Sequence, residues 1–118
     1  MANLKNLIND FVKVEGINAA VVVGRDGFVI EGISNDGKLD VETLGAVIST
    51  GLGTSEVMGR ELSVGALTQS MIEFDNGVLV MGTLGKESLL CLVCQPGANL
   101  GNVRLQMKKR SPDLASAL

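Results

Sequence analysis

The feature that most constrains the fold is a run of small and β-branched apolar side chains, Ile17 to Gly24. Such a run predicts a strand, and because it has almost no polar face, the strand has to be covered on both sides. A chain of 118 residues, 46% of them hydrophobic, is long enough to bury one core of this kind. The sequence therefore predicts a single domain over residues 1–118, in which helices lie on both faces of a sheet.

Two glycine turns predict where the chain reverses direction. Asp26-Gly27 and Asn76-Gly77 each follow one apolar run and precede another. Both dipeptides favour hairpins because their residues tolerate positive φ angles. Since the strands are joined mostly by such turns, we expect a mainly antiparallel sheet. The five predicted strands are Ile17–Gly24, Phe28–Ile33, Ala66–Phe74, Val78–Thr83 and Ser88–Gln95.

Helical periodicity predicts three further elements. Asn3 can cap a first helix, Asp40 a long helix over residues 40–61, and Asn99 a last helix. Pro112 either kinks that last helix or starts a short new one. The order is α-β-β-α-β-β-β-α. It predicts an α+β three-layer sandwich, a five-stranded sheet with helices on both faces.

The composition excludes several classes of function. Without histidine the chain has no Ser-His or Cys-His pair, no imidazole proton shuttle and no histidine metal ligand. A net charge of −3 argues against a nucleic-acid groove, and three aromatic residues leave almost no platform for stacking bases. We find no signal-peptide pattern and no apolar segment of about 20 residues. We therefore expect a cytoplasmic protein without catalytic residues, cofactor, metal or membrane insertion.

Cys91 and Cys94 have the spacing of a CxxC motif. They fall within a predicted strand, where side chains three positions apart point to opposite faces of the sheet. We interpret them as two buried structural cysteines, which behave as small apolar side chains. Metal or disulfide chemistry between two chains is the alternative.

The helix over residues 40–61 is unusual because Glu56 is its single charged residue between Thr43 and Gly59. One apolar stripe is predicted to pack on the sheet: Val41, Leu44, Ile48, Leu52 and Leu62. A second uncharged face, where a surface helix normally carries Lys and Glu, contains Val47, Thr50, Gly51, Thr54, Val57 and Met58. We interpret this face either as tight packing on the domain's own sheet or as a helix contact between two protomers.

The strand Ala66–Phe74 is the natural companion of that face. We expect it at a sheet edge, and it has no Lys or Pro to block edge pairing. Such an edge can pair with its own copy across a two-fold axis. We therefore expect a homodimer whose interface contains Val47, Thr50, Gly51, Thr54, Met58, Thr68, Gln69, Ser70 and Ile72.

Taken together, these patterns resemble the Roadblock/dynein light chain family, in particular its small stand-alone bacterial and archaeal members. The resemblance covers nearly the whole chain. It is carried by the hairpin segment Gly16 to Gly27, the glycine-rich middle helix, the Asn76-Gly77 hairpin and the helix opening Asn99 to Arg104. It implies a Roadblock/profilin-like fold and a homodimer in which the third strands pair and the middle helices lie side by side.

The resemblance also implies a function. Such family members bind small Ras-like GTPases and regulate their nucleotide cycle, or act as adaptors. For this chain it implies a non-enzymatic regulator or scaffold, with docking positions on the middle helix at Glu42, Ser49, Glu56 and Arg60. A structural adaptor without effect on GTP turnover and a small-ligand sensor are the alternatives.

Overall fold

The computed structural model describes residues 3–37 and 39–118. Its helices and strands follow the predicted order, and all neighbouring strands are antiparallel in the spatial order β2-β1-β5-β4-β3. β3 therefore lies at one edge of the sheet, as expected. The elements are α1 Leu4–Val12, β1 Ile17–Gly24, β2 Val29–Ser34, α2 Val41–Glu61, β3 Gln69–Phe74, β4 Gly77–Leu84, β5 Ser88–Cys94 and α3 Leu100–Ala117.

The sheet separates two apolar cores, which confirms the three-layer prediction. α1 and α3 cover one face, where Phe11 and Leu114 pack with Val22 of β1. α2 covers the other face, where Leu52 packs with Val21 of β1. Because neighbouring residues of β1 serve opposite cores, this strand is buried on both sides and holds the two layers together.

Six strand ends differ from the prediction, five of them by one residue, and the differences at the starts of β2 and β3 have a local cause. β2 begins at Val29 rather than Phe28, because the pairing with β1 shifts register after Val22 and the Asp26 carboxylate accepts the Phe28 backbone N–H in the turn. β3 begins at Gln69 rather than Ala66, because the chain is still turning at Gly65, whose φ is 97°. Both differences arise from turns that are longer than their glycine signals indicate.

α3 runs without interruption through Pro112, so the alternative that this proline starts a new helix is wrong. Pro112 is exposed, and the buried side chain of Leu114 fixes the following turn to the core. The Ser111 hydroxyl donates to the Met107 carbonyl one turn back. Core packing thus holds the helix together across the residue that cannot donate a backbone hydrogen bond.

The predicted stripe of α2 is confirmed except at its end. Ile48 and Leu52 are buried, whereas Leu62 is 70% exposed. The helix ends at Glu61, Leu62 is its C-cap, and Ser63 adopts a left-handed φ of 55°. Leu62 therefore never reaches the core.

Within the described residues, no helix combines the length and the hydropathy required to span a bilayer.

Candidate interaction surface

The second face of α2 is uncovered. α2 packs on β1 and β2 and touches β5, which leaves its opposite side in solvent. Val47 is 61% and Met58 is 55% exposed, and Thr50 and Thr54 are exposed as well. A Cβ atom added to Gly51 would meet no atom within 4 Å. The alternative that this face packs on the domain's own sheet is therefore wrong.

Two other glycines of α2 explain how the helix approaches the rest of the domain. A Cβ atom at Gly45 would lie 2.3 Å from the Gly27 carbonyl oxygen, and one at Gly59 would lie 2.8 Å from the Gly65 carbonyl oxygen. Real Cβ atoms essentially never come closer than 3.0 Å to such a neighbour. Gly45 and Gly59 are thus required for close packing within the chain, whereas Gly51 leaves room on the outside.

Alternate side chains of the edge strand β3 lie on the same face of the sheet as α2. β3 pairs with β4 alone among the described strands, so its outer backbone groups have no strand partner. Ser70 and Ile72 pair with β4 residues that face α2, so their side chains lie on the α2 side of the sheet. Phe74 follows the same alternation and is 60% exposed. We call the outer face of α2 together with these three β3 residues the α2–β3 surface.

Not every predicted interface residue has its side chain on the α2–β3 surface. The Gln69 side chain lies on the opposite side of the sheet, where its Oε1 accepts from Arg104 Nε at 3.0 Å. Its Nε2 donates to the Arg104 carbonyl at 3.3 Å. Thr68 is exposed and precedes β3. Gln69 is therefore placed to contribute backbone groups, but not its side chain, to pairing at this edge.

The four predicted docking residues form a separate stripe along α2. At 100° per residue Glu42, Ser49, Glu56 and Arg60 lie within roughly 40° of one another, on the side of the helix away from Gly51. Glu42 and Arg60 are exposed, whereas Ser49 and Glu56 are half-buried. The Ser49 hydroxyl donates to the Ala46 carbonyl at 3.1 Å. Two of the four predicted side chains are thus open to solvent.

Glu56 is held by a residue that the sequence did not indicate, Arg25 in the β1–β2 turn. The Arg25 guanidinium donates to both carboxylate oxygens of Glu56, at 3.1 Å from Nη2 to Oε2, and its Nε donates to the Lys86 carbonyl. The hydrogen bond from Arg25 lowers the pKa of Glu56, and the same bond raises the pKa of Arg25. This pairing fastens α2 to two turns at one end of the sheet.

The interpretation of the two cysteines as buried structural residues is confirmed. Cys91 faces the core under α2 and Cys94 faces the core under α1 and α3, so their sulfurs lie on opposite sides of the sheet. Burial raises the pKa of Cys91 to about 12 and that of Cys94 to about 11. Neither thiol is accessible to a second chain in this structure, so metal or disulfide chemistry between chains has no exposed ligand here.

Comparisons with known proteins agree with this architecture. The sequence model of the Roadblock/LC7 domain matches residues 4–94. The uncharacterized protein MJ0310 of Methanocaldococcus jannaschii is 38% identical over 97 residues, which cover 82% of this chain and 83% of that protein. The family-model match contains the helices and strands that form the α2–β3 surface, and α3 lies beyond it.

Solved structures share the fold at low sequence identity. Myxococcus xanthus MglB superposes with a TM-score of 0.88 at 18% identity, covering 96% of this chain and 92% of that one. A Roadblock/LC7 domain from Streptomyces avermitilis gives 0.88 at 20% identity, covering 98% and 97%. Acanthamoeba castellanii profilin IA gives 0.66 at 11% identity, covering 97% and 98%. The predicted Roadblock/profilin-like fold is therefore confirmed.

Proposed function

Because this chain belongs to the Roadblock/LC7 domain family, we propose that it is a homodimeric regulator or scaffold that binds a small Ras-like GTPase and modulates its nucleotide cycle. The observation that carries the proposal is the α2–β3 surface, which consists of an exposed, uncharged helix face and exposed side chains of an unpaired edge strand on the same face of the sheet. A monomer in water gains nothing from exposing such a surface, whereas a second copy can bury it.

This geometry supports a symmetric dimer. Two β3 edges pair antiparallel across a two-fold axis and continue the sheet, while the α2 helices lie side by side over the junction. Gly51 has no side chain, so the two helix backbones can come close there. Val47 and Met58 supply apolar contacts on either side of it. A stable interface of this kind needs about 800 Å² from each partner.

Two matched variants test the dimer. A Cβ atom added to Gly51 or to Gly53 would meet no atom within 4 Å. The two glycines are two positions apart on the helix and therefore face nearly opposite sides of it. We expect Gly51→Gln to sediment as a monomer and Gly53→Gln to remain dimeric, both with unchanged far-UV circular dichroism. A wild-type chain that sediments at 12.3 kDa at high concentration would refute the dimer.

The GTPase is proposed to dock on the stripe of α2 that the dimer contact leaves open. Glu42 and Arg60 are its exposed charged side chains, and Glu56 is presented there as an ion pair with Arg25. Ras-like GTPases from the same organism, loaded with a GTP analogue, should co-elute with the wild-type chain. Glu42→Ala combined with Arg60→Ala should weaken that association, whereas the exposed control Glu15→Ala should not.

A structural adaptor is the second candidate, and one observation favours it. Ser49 and Glu56 are engaged within the chain, which leaves few side chains to rearrange a GTPase active site. An adaptor would bind its GTPase without changing the rate of GTP hydrolysis. Single-turnover hydrolysis with and without the dimer distinguishes the two: an increased rate supports regulation, and an unchanged rate with stable binding supports the adaptor.

A further inference from the structure

The other side of the sheet carries a groove that shares only Thr68 and Gln69 with the proposed interfaces. It runs between α3 and the adjoining ends of β3 and β4, with a volume of about 690 Å³. Gly82 lies in its floor, and the small size of this glycine lets Met107 of α3 approach the sheet. Because β3 and β4 extend beyond α3, the helix leaves this strip of the sheet open.

The groove is long and narrow. Its α3 wall extends from Gly101 to Ala115, about 21 Å at a rise of 1.5 Å per residue. That length matches a helical or extended segment of protein better than a compact small molecule. Met107 and Ser111 line the groove from the side of α3 nearer the sheet. The other lining residues of α3 share its outer face and are Gly101, Arg104, Leu105, Lys108, Pro112 and Ala115.

The wall formed by α3 is positively charged in an acidic protein. α3 carries four basic side chains and one carboxylate, Asp113, whereas the whole chain has a net charge of −3. Among the described residues, Arg104, Lys108 and Lys109 form no ion pair. Arg104 is held in place by its hydrogen bond to Gln69, so its guanidinium is ordered before any partner arrives.

Exposed apolar side chains accompany these charges. Leu105 on α3 is 58% exposed, and Met71 of β3 is exposed on the same side of the sheet. Arg104 and Lys108 lie four residues apart on the helix, so their charges are about one turn from each other. A complementary ligand would therefore present an apolar strip beside two carboxylates, with the carboxylates spaced about one helical turn apart like Arg104 and Lys108.

We propose that this groove docks an acidic amphipathic helix of a partner protein. The carboxylates of that helix, at positions i and i+4, pair with Arg104 and Lys108 while its apolar face covers Leu105. The side chains that would bind the helix lie on the face of the sheet opposite the α2–β3 surface, and only Thr68 and Gln69 at the β3 edge belong to both the groove and the proposed dimer contact. The groove is formed largely by α3, which lies outside the matched family domain of residues 4–94.

The test uses a fluorescein-labelled helical peptide of about 18 residues, with leucines on one face and glutamates at i and i+4 beside them. Fluorescence anisotropy should report binding to the wild-type chain. Arg104→Glu with Lys108→Glu should weaken binding at least about tenfold. The control Lys5→Glu with Lys86→Glu changes the net charge equally at exposed sites outside the groove and should leave binding nearly unchanged.

The same titrations contain the results that would overturn the proposal. Equal weakening by both double variants would mean that binding follows net charge alone. Equal affinity for a peptide with lysines in place of the glutamates would show that pairing of opposite charges does not contribute to binding. Binding to phosphatidylserine vesicles without binding to the acidic peptide would assign the groove to a membrane.

Two further measurements separate the groove from the dimer and from misfolding. If Arg104→Glu with Lys108→Glu changes the sedimentation of the free protein, the groove is a contact between copies of this chain and the proposal fails. Lys108→Glu alone leaves the Gln69 hydrogen bonds intact, and it should still weaken peptide binding with unchanged circular dichroism. Loss of the dimer in Gly51→Gln should not affect peptide binding.

Discussion

The contact between Gly45 and Gly27 allows the packing of α2 to be tested with one added methyl group. In Gly45→Ala the new Cβ atom would lie 2.3 Å from the Gly27 carbonyl oxygen and 3.1 Å from Val29 Cγ2, whereas ordinary contacts begin at 3.4 Å. The helix or the turn therefore has to move by about 1 Å. Moving the helix separates Ile48 from its neighbours in the core.

The expected magnitude is the difference between two opposing effects. Overpacking in a well-packed region costs about 1–3 kcal/mol, and the upper end applies here because the obstacle is backbone. Alanine has a higher helix propensity than glycine by about 1 kcal/mol, which offsets part of this cost. We expect Gly45→Ala to lower the free energy of unfolding by about 2 kcal/mol.

Gly53→Ala is the matched control. It makes the same chemical change in the same helix at a position with open space, and Gly53 points away from the proposed dimer contact. We expect it to raise the free energy of unfolding by about 0.5–1 kcal/mol. Urea unfolding followed by far-UV circular dichroism at one protein concentration should therefore separate the two variants by about 3 kcal/mol. Equal stabilities would refute the close approach of α2 to the β1–β2 turn.

The remaining predictions concern titratable groups. Glu56→Gln should lower the free energy of unfolding by about 0.5–1 kcal/mol at neutral pH, a modest value because the side chains of Arg25 and Glu56 are 35% and 23% exposed and solvent screens the pair. Folding lowers the pKa of Glu56 from 4.5, so this stabilisation is complete above that pH and is lost as the pH falls through the lower folded value. Denaturant unfolding of both proteins over that range should show the difference disappearing, and a difference that persists in acid would contradict the ion pair. The exposed control Glu61→Gln should show little difference at neutral pH. A thiol reagent such as Ellman's reagent should modify neither Cys91 nor Cys94 at neutral pH until urea unfolds the chain, because burial raises both thiol pKa values. Fast modification of the native protein would show that these cores open.

Local signals in the sequence predicted most of the architecture. Asn3, Asp40 and Asn99 all accept a backbone N–H of their helix's first turn, as their positions before periodic apolar segments indicated. The bounds of β1 are those predicted, because an uninterrupted apolar run ends at a turn signal. Asn76-Gly77 also lies at the predicted hairpin.

Features that depend on distant parts of the chain could not be predicted in this way. Arg25 and Glu56 are separated by 31 residues, and no local pattern links them. The exposure of Leu62 depends on a left-handed backbone at Ser63, a residue type that seldom adopts it. The face of the sheet on which the Gln69 side chain lies is set by the register of β3 with β4. The sequence placed the start of β3 three residues too early, so it did not define that register.

The alternation of side chains along β1 has a mechanical consequence. Val21 packs in the core beneath α2, and Val22 packs in the core beneath α1 and α3. Adjacent residues of one strand therefore contact helices on opposite faces of the sheet. A substitution that enlarges Val22 should disturb α3 first, and one at Val21 should disturb α2 first. Each layer can therefore be perturbed by a substitution at one position of β1 while the contacts of the adjacent residue with the other layer stay in place.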